Sequence, residues 1–324
     1  MTSDLRKRGD EAGAMNRFRI GVFGLQAAPG TTPDKQLEVA LDQAAELGVQ
    51  VLGGDSRPKF QWGTFKCDLG YWRELHNIAA ARGLEIEPFV RSPFDLVGTE
   101  GPAARRATIE SIQAARTLGG PVMRTAYGDN TLARSRYAAR PVAEHLRFLI
   151  ANLREAARLA DSEGVILAIE NHCDFYGEEW AQVLETIASD SIRCALDTGN
   201  GLTVFCDPMR DAAALTPWAV TTHLKDMCVM ENPRPAIGMS PLVPFTMAGC
   251  PIGDGIVDLQ TIVRNLVDHG PLGHHVPLIV EPSWPAAASD SDLRVRRKEL
   301  LMANLSGLRR LLGTLGEVDT RFID

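Results

Sequence analysis

The 324 residues carry 34 Lys and Arg against 41 Asp and Glu, a formal charge of −7, which leaves no basic footprint for a nucleic-acid partner. With 45% hydrophobic and 23% charged residues the composition is that of a folded domain in water rather than of a disordered chain. No apolar run approaches the roughly 20 residues of a membrane helix, so no membrane partner is expected. Six cysteines, at 67, 173, 194, 206, 228 and 250, include no Cys-x-x-Cys pair and read as reduced cytoplasmic thiols.

Residues 1–15 (MTSDLRKRGDEAGAM) are polar and expected to form a disordered tail before a catalytic domain over 16–324. From there β-branched runs alternate with helical patterns. FRIGVFG (18–24) is the first strand, and 33–48 a helix closed by a glycine. Strands follow at 49–55, 84–90 and 121–128, separated by helices at 71–83 and 102–118. A long helix over 141–163 leads to VILAIEN (165–171), then SIRCALD (191–197), AVTTHLK (219–225) and VPLIVEP (276–282). The last helices are expected near 178–189, 208–215, 256–268 and 290–313. Eight strands alternating with eight helices predict an α/β fold, a single (β/α)8 TIM barrel. Two connections are long, 91–101 after strand three and 226–255 after strand seven. Both leave a strand's C-terminal end, where barrel enzymes build active sites, so the second is expected to act as a lid or substrate loop.

The chemical signal lies at the ends of strands five to eight. Glu170, Asp197, His223 and Glu281 close them in turn, with gaps of 27, 26 and 58 residues. Neighbouring staves converge on one rim, so these four side chains can meet. Three carboxylates and an imidazole suit one divalent cation, Mn²⁺ first, with Mg²⁺, Co²⁺ or Zn²⁺ as alternatives. His172 and Lys225 follow Glu170 and His223 by two residues and share their faces. His172 is expected to carry a proton. Lys225 is expected to bind a substrate oxygen, with a salt bridge to Asp226 or Glu281 as the competing role. Arg124, Asp55, Arg91 and Tyr127 end strands two to four and could bind hydroxyls. Trp62, Trp72 and above all Trp284 could stack on a sugar ring. No Gly-x-x-x-x-Gly-Lys loop is present to cradle a nucleotide.

The four residues, in the strings AIENH, ALDTGN and THLKD, together with GDGIVDL (253–259), resemble the xylose-isomerase-like barrels that include sugar phosphate isomerases and epimerases. The resemblance spans residues 17–312. It implies a single metal held by Glu170, Asp197, His223 and Glu281, with Glu170 and Glu281 as proton carriers and a small carbohydrate as substrate. In the epimerase pattern a substrate-contacting histidine stands three residues after the strand-six aspartate; here Asn200 takes that place. AIENH with Asn200 also resembles the large subunit of C-glycoside deglycosidases. The leading expectation is therefore an isomerase or epimerase acting on a ketose or oxidised sugar. The alternative is a lyase that cleaves 3-oxo-glycosides by β-elimination. The resemblance further implies a homo-oligomer or a complex with a small second subunit. Two other classes are weaker: an apurinic endonuclease needs more histidines and a basic groove, and a pure sugar-binding module has no use for a metal set.

Overall fold

The computed structural model describes residues 18–25, 33–54, 69–90, 96–98, 101–127, 141–231, 245–282, 285, 287 and 289–316. The expected 1–15 tail, Asp55, Trp62, Arg91, Trp284 and residues 232–244 of the long insertion lie outside the described residues.

Strands and helices alternate in the order read from the sequence: β1 (Ile20–Phe23), α1 (Pro33–Glu46), β2 (Val51–Gly54), α2 (Leu69–Ala81), β3 (Glu85–Pro88), α3 (Gly101–Leu118) and β4 (Val122–Ala126). Next come α4 (Val142–Glu163), β5 (Ile166–Glu170), α5 (Gly177–Ile187), β6 (Ile192–Asp197), α6 (Pro208–Leu215) and β7 (Ala219–His223). A hairpin of β8 (Asp226–Glu231) and β9 (Phe245–Cys250) intervenes before α7 (Leu259–His269), β10 (Leu278–Val280) and α8 (Asp290–Thr314). The eighth stave of the predicted barrel is thus β10.

The staves form two parallel four-stranded sheets, β10-β1-β2-β3 and β4-β5-β6-β7. Parallel bridges join them at both seams, Phe89 with Arg124 and Leu224 with Val280. Val90 N donates to Arg124 O at 2.7 Å, and Leu224 N to Ile279 O at 2.7 Å. The ring therefore closes, as the strand count requires. Parallel staves lie between side chains within and helices outside, so they read as apolar runs; β2, β5, β7 and β10 are buried at every residue. Helix α4 presents Leu149, Leu153, Ala156, Leu159 and Ala160 to the core at the 3.6-residue period. It ends at Gly164, whose φ of 66° is the left-handed C-cap that glycine adopts without strain. Among the described residues no helix is long and apolar enough to cross a membrane. The five described cysteines are free thiols.

The two described ends of the long insertion form a hairpin. Its two ends pair in antiparallel register from Asp226 opposite Cys250 to Glu231 opposite Phe245. Met227 and Ala248 are buried where the hairpin meets the protein. Asp226 fastens the hairpin's base. Its carboxylate accepts backbone N–H groups from Met227 (2.9 Å), Gly253 and Gly255 (3.0 Å each) and Val257 (3.1 Å). A Cβ at Gly255 would stand 2.0 Å from Asp226 Oδ1, so only glycine fits there. Asp258 then caps α7 by accepting from Thr261 N at 3.0 Å. The Gly-Asp-Gly string is thus a backbone cradle for one buried carboxylate.

Asp226→Asn keeps the volume but replaces an acceptor oxygen by an amide donor facing N–H groups. It should cost at least about 2 kcal/mol and lower the thermal midpoint by several degrees, measured by circular dichroism. A midpoint equal to that of the native chain would show that the cradle does not depend on the charge.

Candidate metal centre

The four predicted ligands stand where strand ends put them: Glu170, Asp197 and His223 are the last residues of β5, β6 and β7, and Glu281 follows β10 directly. Register decides that they meet. Between Cys194 and Ala195 the pairing of β6 with β7 shifts by one residue, which sets Asp197 opposite His223 instead of Thr222. Glu281 N donates to Leu224 O at 3.0 Å, bringing stave eight level with the other three. One ligand atom from each of the four lies within 4.8 Å of the others. Around one ion with bonds of about 2.1 Å, neighbouring ligand atoms stand roughly 3 Å apart and opposite ones roughly 4 Å, so the spacing fits a single cation.

Each ligand is held by a partner. Asp197 Oδ1 accepts the N–H groups of Gly199 and Asn200 at 2.8 Å each, at the start of the short 3₁₀ turn 200–204, which aims Oδ2 inward. Asn171 ties the strand end by accepting from Asp197 N at 2.7 Å and donating to its carbonyl at 2.9 Å. Glu170 Oε1 accepts from Asn200 Nδ2 at 3.0 Å, and Oε2 from Arg124 Nη1 at 3.3 Å. His223 packs against the Phe23 ring at 4.3 Å. Its Nδ1 lies 3.0 Å from Glu281, 3.6 Å from Glu170 and 3.9 Å from Asp197, yet neither buried ring nitrogen makes a well-directed hydrogen bond. An imidazole facing three carboxylates in this way could join them in holding a cation.

Four buried carboxylates (Glu87, Glu170, Asp197, Glu281) face Arg124 and Lys225, with the titratable His223 and His172 beside them. Burial works against the Glu170 and Glu281 charges, but His223 with Arg124, and Lys225 with His223, hold the two carboxyls well below the usual range. Asp197 moves the other way, to about 6. Burial pushes it up, Lys225 opposes, and the Glu281 and Glu170 charges add to the rise. His223 is buried and beside Arg124, both of which disfavour its charge, but Glu281 and Glu170 raise it above the ordinary imidazole value.

The other expected site residues fall in different places, Tyr127 among them, partly buried with its ring stacked on Phe175 at 5.7 Å. Lys225 and Asn200 join the centre. Lys225 Nζ lies 2.8 Å from Glu281 Oε2, 2.9 Å from Asp197 Oδ2 and 3.3 Å from Asn200 Oδ1, so its acidic partner is Glu281 with Asp197 and not Asp226. His172 is half-buried beside Glu170. Burial opposes its charge, but the Cys173 thiol, Glu170 and Asp174 raise it to about 9. Arg124, expected to touch substrate, is 1% exposed and points its guanidinium at Glu87, Glu170 and the Thr222 carbonyl. Trp72 is buried in α2 within the core. Glu87 was not singled out from the sequence; its signal was a carboxylate near the middle of the short strand LEIEPFV, where a barrel interior normally takes apolar residues.

Residues 41–299 match the family model described as xylose isomerase-like TIM barrel. The chain belongs to that family. A 2-epi-5-epi-valiolone 7-phosphate 2-epimerase from Actinoplanes sp. is 37% identical over 224 residues, 68% of this chain and 77% of that protein. Among solved structures, a D-psicose 3-epimerase with D-fructose shares the fold at TM-score 0.63 and 14% identity, covering 91% of this chain and 100% of its own. A xylose isomerase-like TIM barrel protein from Mycobacterium smegmatis, in complex with magnesium, matches at TM-score 0.58 and 18% identity over 90% and 98%. This xylose isomerase-like chain therefore has an epimerase as a relative and a group of Glu, Asp, His and Glu that could hold a metal.

Protons on Asp197 and His223 compete with any cation for the same atoms, so affinity should fall as the pH drops from 8 to 6. Calorimetric titration with MnCl₂ at both pH values, in buffers of different ionisation enthalpy, checks this. About one or more protons should leave per ion bound at pH 6. Equal affinity without proton release would remove both residues from coordination.

Proposed function

We propose that this chain is a divalent-metal-dependent epimerase or isomerase that exchanges a proton beside the carbonyl of a ketose or oxidised sugar, with Mn²⁺ as the first metal to test. One observation carries the reading: four donor atoms converge within 4.8 Å at the barrel rim, one of them on the partly accessible Glu281, with the half-buried His172 beside Glu170. Glu170, Asp197, His223 and Glu281 would hold the ion, which when bound supplies a Lewis acid that acidifies the adjacent C–H and stabilises the enolate.

Accessibility divides the labour among the chain's own residues. The Asp197 and His223 side chains are 0% and 2% exposed, and Glu170, at 8%, is clasped by Asn200 and Arg124. Glu281 is 13% exposed, and His172 is half-buried on the stave-five side. Glu281 and His172 thus face a bound substrate from staves eight and five, with Glu170 behind as ligand and reserve base. Removal of a proton by one and its return by the other on the opposite face inverts the carbon; return to the neighbouring carbon isomerises. Lys225 and Asn200, buried beside the four donors, are the groups proposed to meet substrate oxygens, and Trp284 is the residue proposed to stack on the ring. All four donor residues come from one chain. Free thiols agree with a cytoplasmic setting.

The relative's substrate name ends in "-one" and its reaction is a 2-epimerisation, which fits proton exchange beside a ketone. Phosphorylated cyclitol ketones therefore join ketohexoses and 3-oxo-glucosides as probes. In D₂O with Mn²⁺, one of the ketones should return with deuterium at the carbon beside its carbonyl, and EDTA should stop the exchange. Release of an aglycone from a 3-oxo-glucoside without such exchange would favour β-elimination instead. Glu281→Gln should abolish turnover, and His172→Ala should lower kcat by about 10²-fold or more. A loss of only a few-fold in His172→Ala would return that residue to a structural role.

A further inference from the structure

Beneath the candidate metal centre lies a second polar layer that needs its own explanation. Arg124, the middle residue of β4, is buried inside the barrel, and its fork reaches three staves. Nε donates to Glu87 Oε1 on β3 at 2.9 Å, Nη1 to Glu170 Oε2 on β5 at 3.3 Å, and Nη2 to the Thr222 carbonyl on β7 at 2.9 Å. Glu87 is 6% exposed, and its other oxygen accepts the hydroxyl of Thr221, which is fully buried on β7. A carboxylate and a guanidinium buried in a barrel are costly unless every contact is directed, and a planar guanidinium holds fixed angles where an ammonium does not.

We propose that Glu87 and Arg124 form a buried brace that positions the Glu170 carboxylate for metal binding, with Thr221 as its anchor. Asn200 grips Glu170 Oε1 from the rim, and Arg124 fixes Oε2 from below. That double hold leaves Oε2 facing His223 Nδ1 at 3.6 Å. Glu87 touches neither the metal ligands nor the cavity. It acts only by setting the angle of the guanidinium, and Thr221 acts only by setting Glu87. The brace rests on the metal reading of the site above and says which residues give one ligand its orientation.

The test separates orientation from charge. The double variant Glu87→Gln with Arg124→Met removes one negative and one positive group, so the charge of the cluster stays as it was. Thr221→Val removes only the hydroxyl. Mn²⁺ affinity of the folded proteins is measured by calorimetry and by electron paramagnetic resonance of free Mn²⁺, with thermal midpoints recorded beside it. The brace predicts about 10- to 100-fold weaker Mn²⁺ binding in the double variant and a several-fold loss in Thr221→Val, with Thr221→Ser restoring it. A folded double variant that binds Mn²⁺ like the native chain overturns the brace and leaves the metal reading intact. Should the double variant not fold, native affinity in folded Thr221→Val overturns it equally. Native protein that takes up no Mn²⁺, Mg²⁺, Co²⁺ or Zn²⁺ overturns the metal reading and the brace together.

Discussion

Like charges held a few ångströms apart away from water repel by about 4 kcal/mol per pair even at an effective dielectric of 20, and Glu170, Asp197 and Glu281 are such a set. Hydrogen-bonded parallel staves cannot slide apart to relieve the repulsion, because each is locked in register to its neighbours. The fold must therefore supply positive charge. Lys225 bridges Asp197 and Glu281, and Arg124 stands under Glu170. The rest of the site follows from that requirement.

The barrel interior answers it in layers two residues apart. On β7 the inward positions run Thr221, His223, then Lys225 beyond the strand end; on β5 they run Ala168, Glu170, then His172. The lowest polar layer holds Glu87, Arg124 and Thr221. Above it stand Glu170, Asp197, His223 and Glu281, and above those Lys225 and His172. On the β5 side exposure rises outward, from the enclosed Ala168 to the half-buried His172, whereas Lys225 beyond β7 stays 2% exposed.

Backbone groups complete the support. Asp197 is oriented by two N–H groups of the turn that follows it, and Asp226 by four from the hairpin and the Gly-Asp-Gly turn. In both cases a carboxylate at a strand end organises the next loop. The same rule gives the THLKD string its logic: His223 and Lys225 face the cavity, while Asp226 turns away to fasten the hairpin behind them.

Periodicity along the chain determined the staves, the helices and the four residues closing staves five to eight, because alternation and strand ends are local properties that survive in a linear text. It also placed His172 and Lys225 beside their ligands, since residues two apart on a strand share a face. Tertiary structure alone decided the rest. Arg124 was legible as a cation on stave four, but it sits in the middle of β4 and not at its end, and its direction toward Glu87 and Glu170 depends on staves three, four, five and seven meeting across the barrel's interior. The one-residue shift at Cys194, the choice of Glu281 and Asp197 over Asp226 as partners of Lys225, and the pairing of the hairpin ends are likewise matters of register. Register is set by packing between segments far apart in sequence, and no single segment contains it.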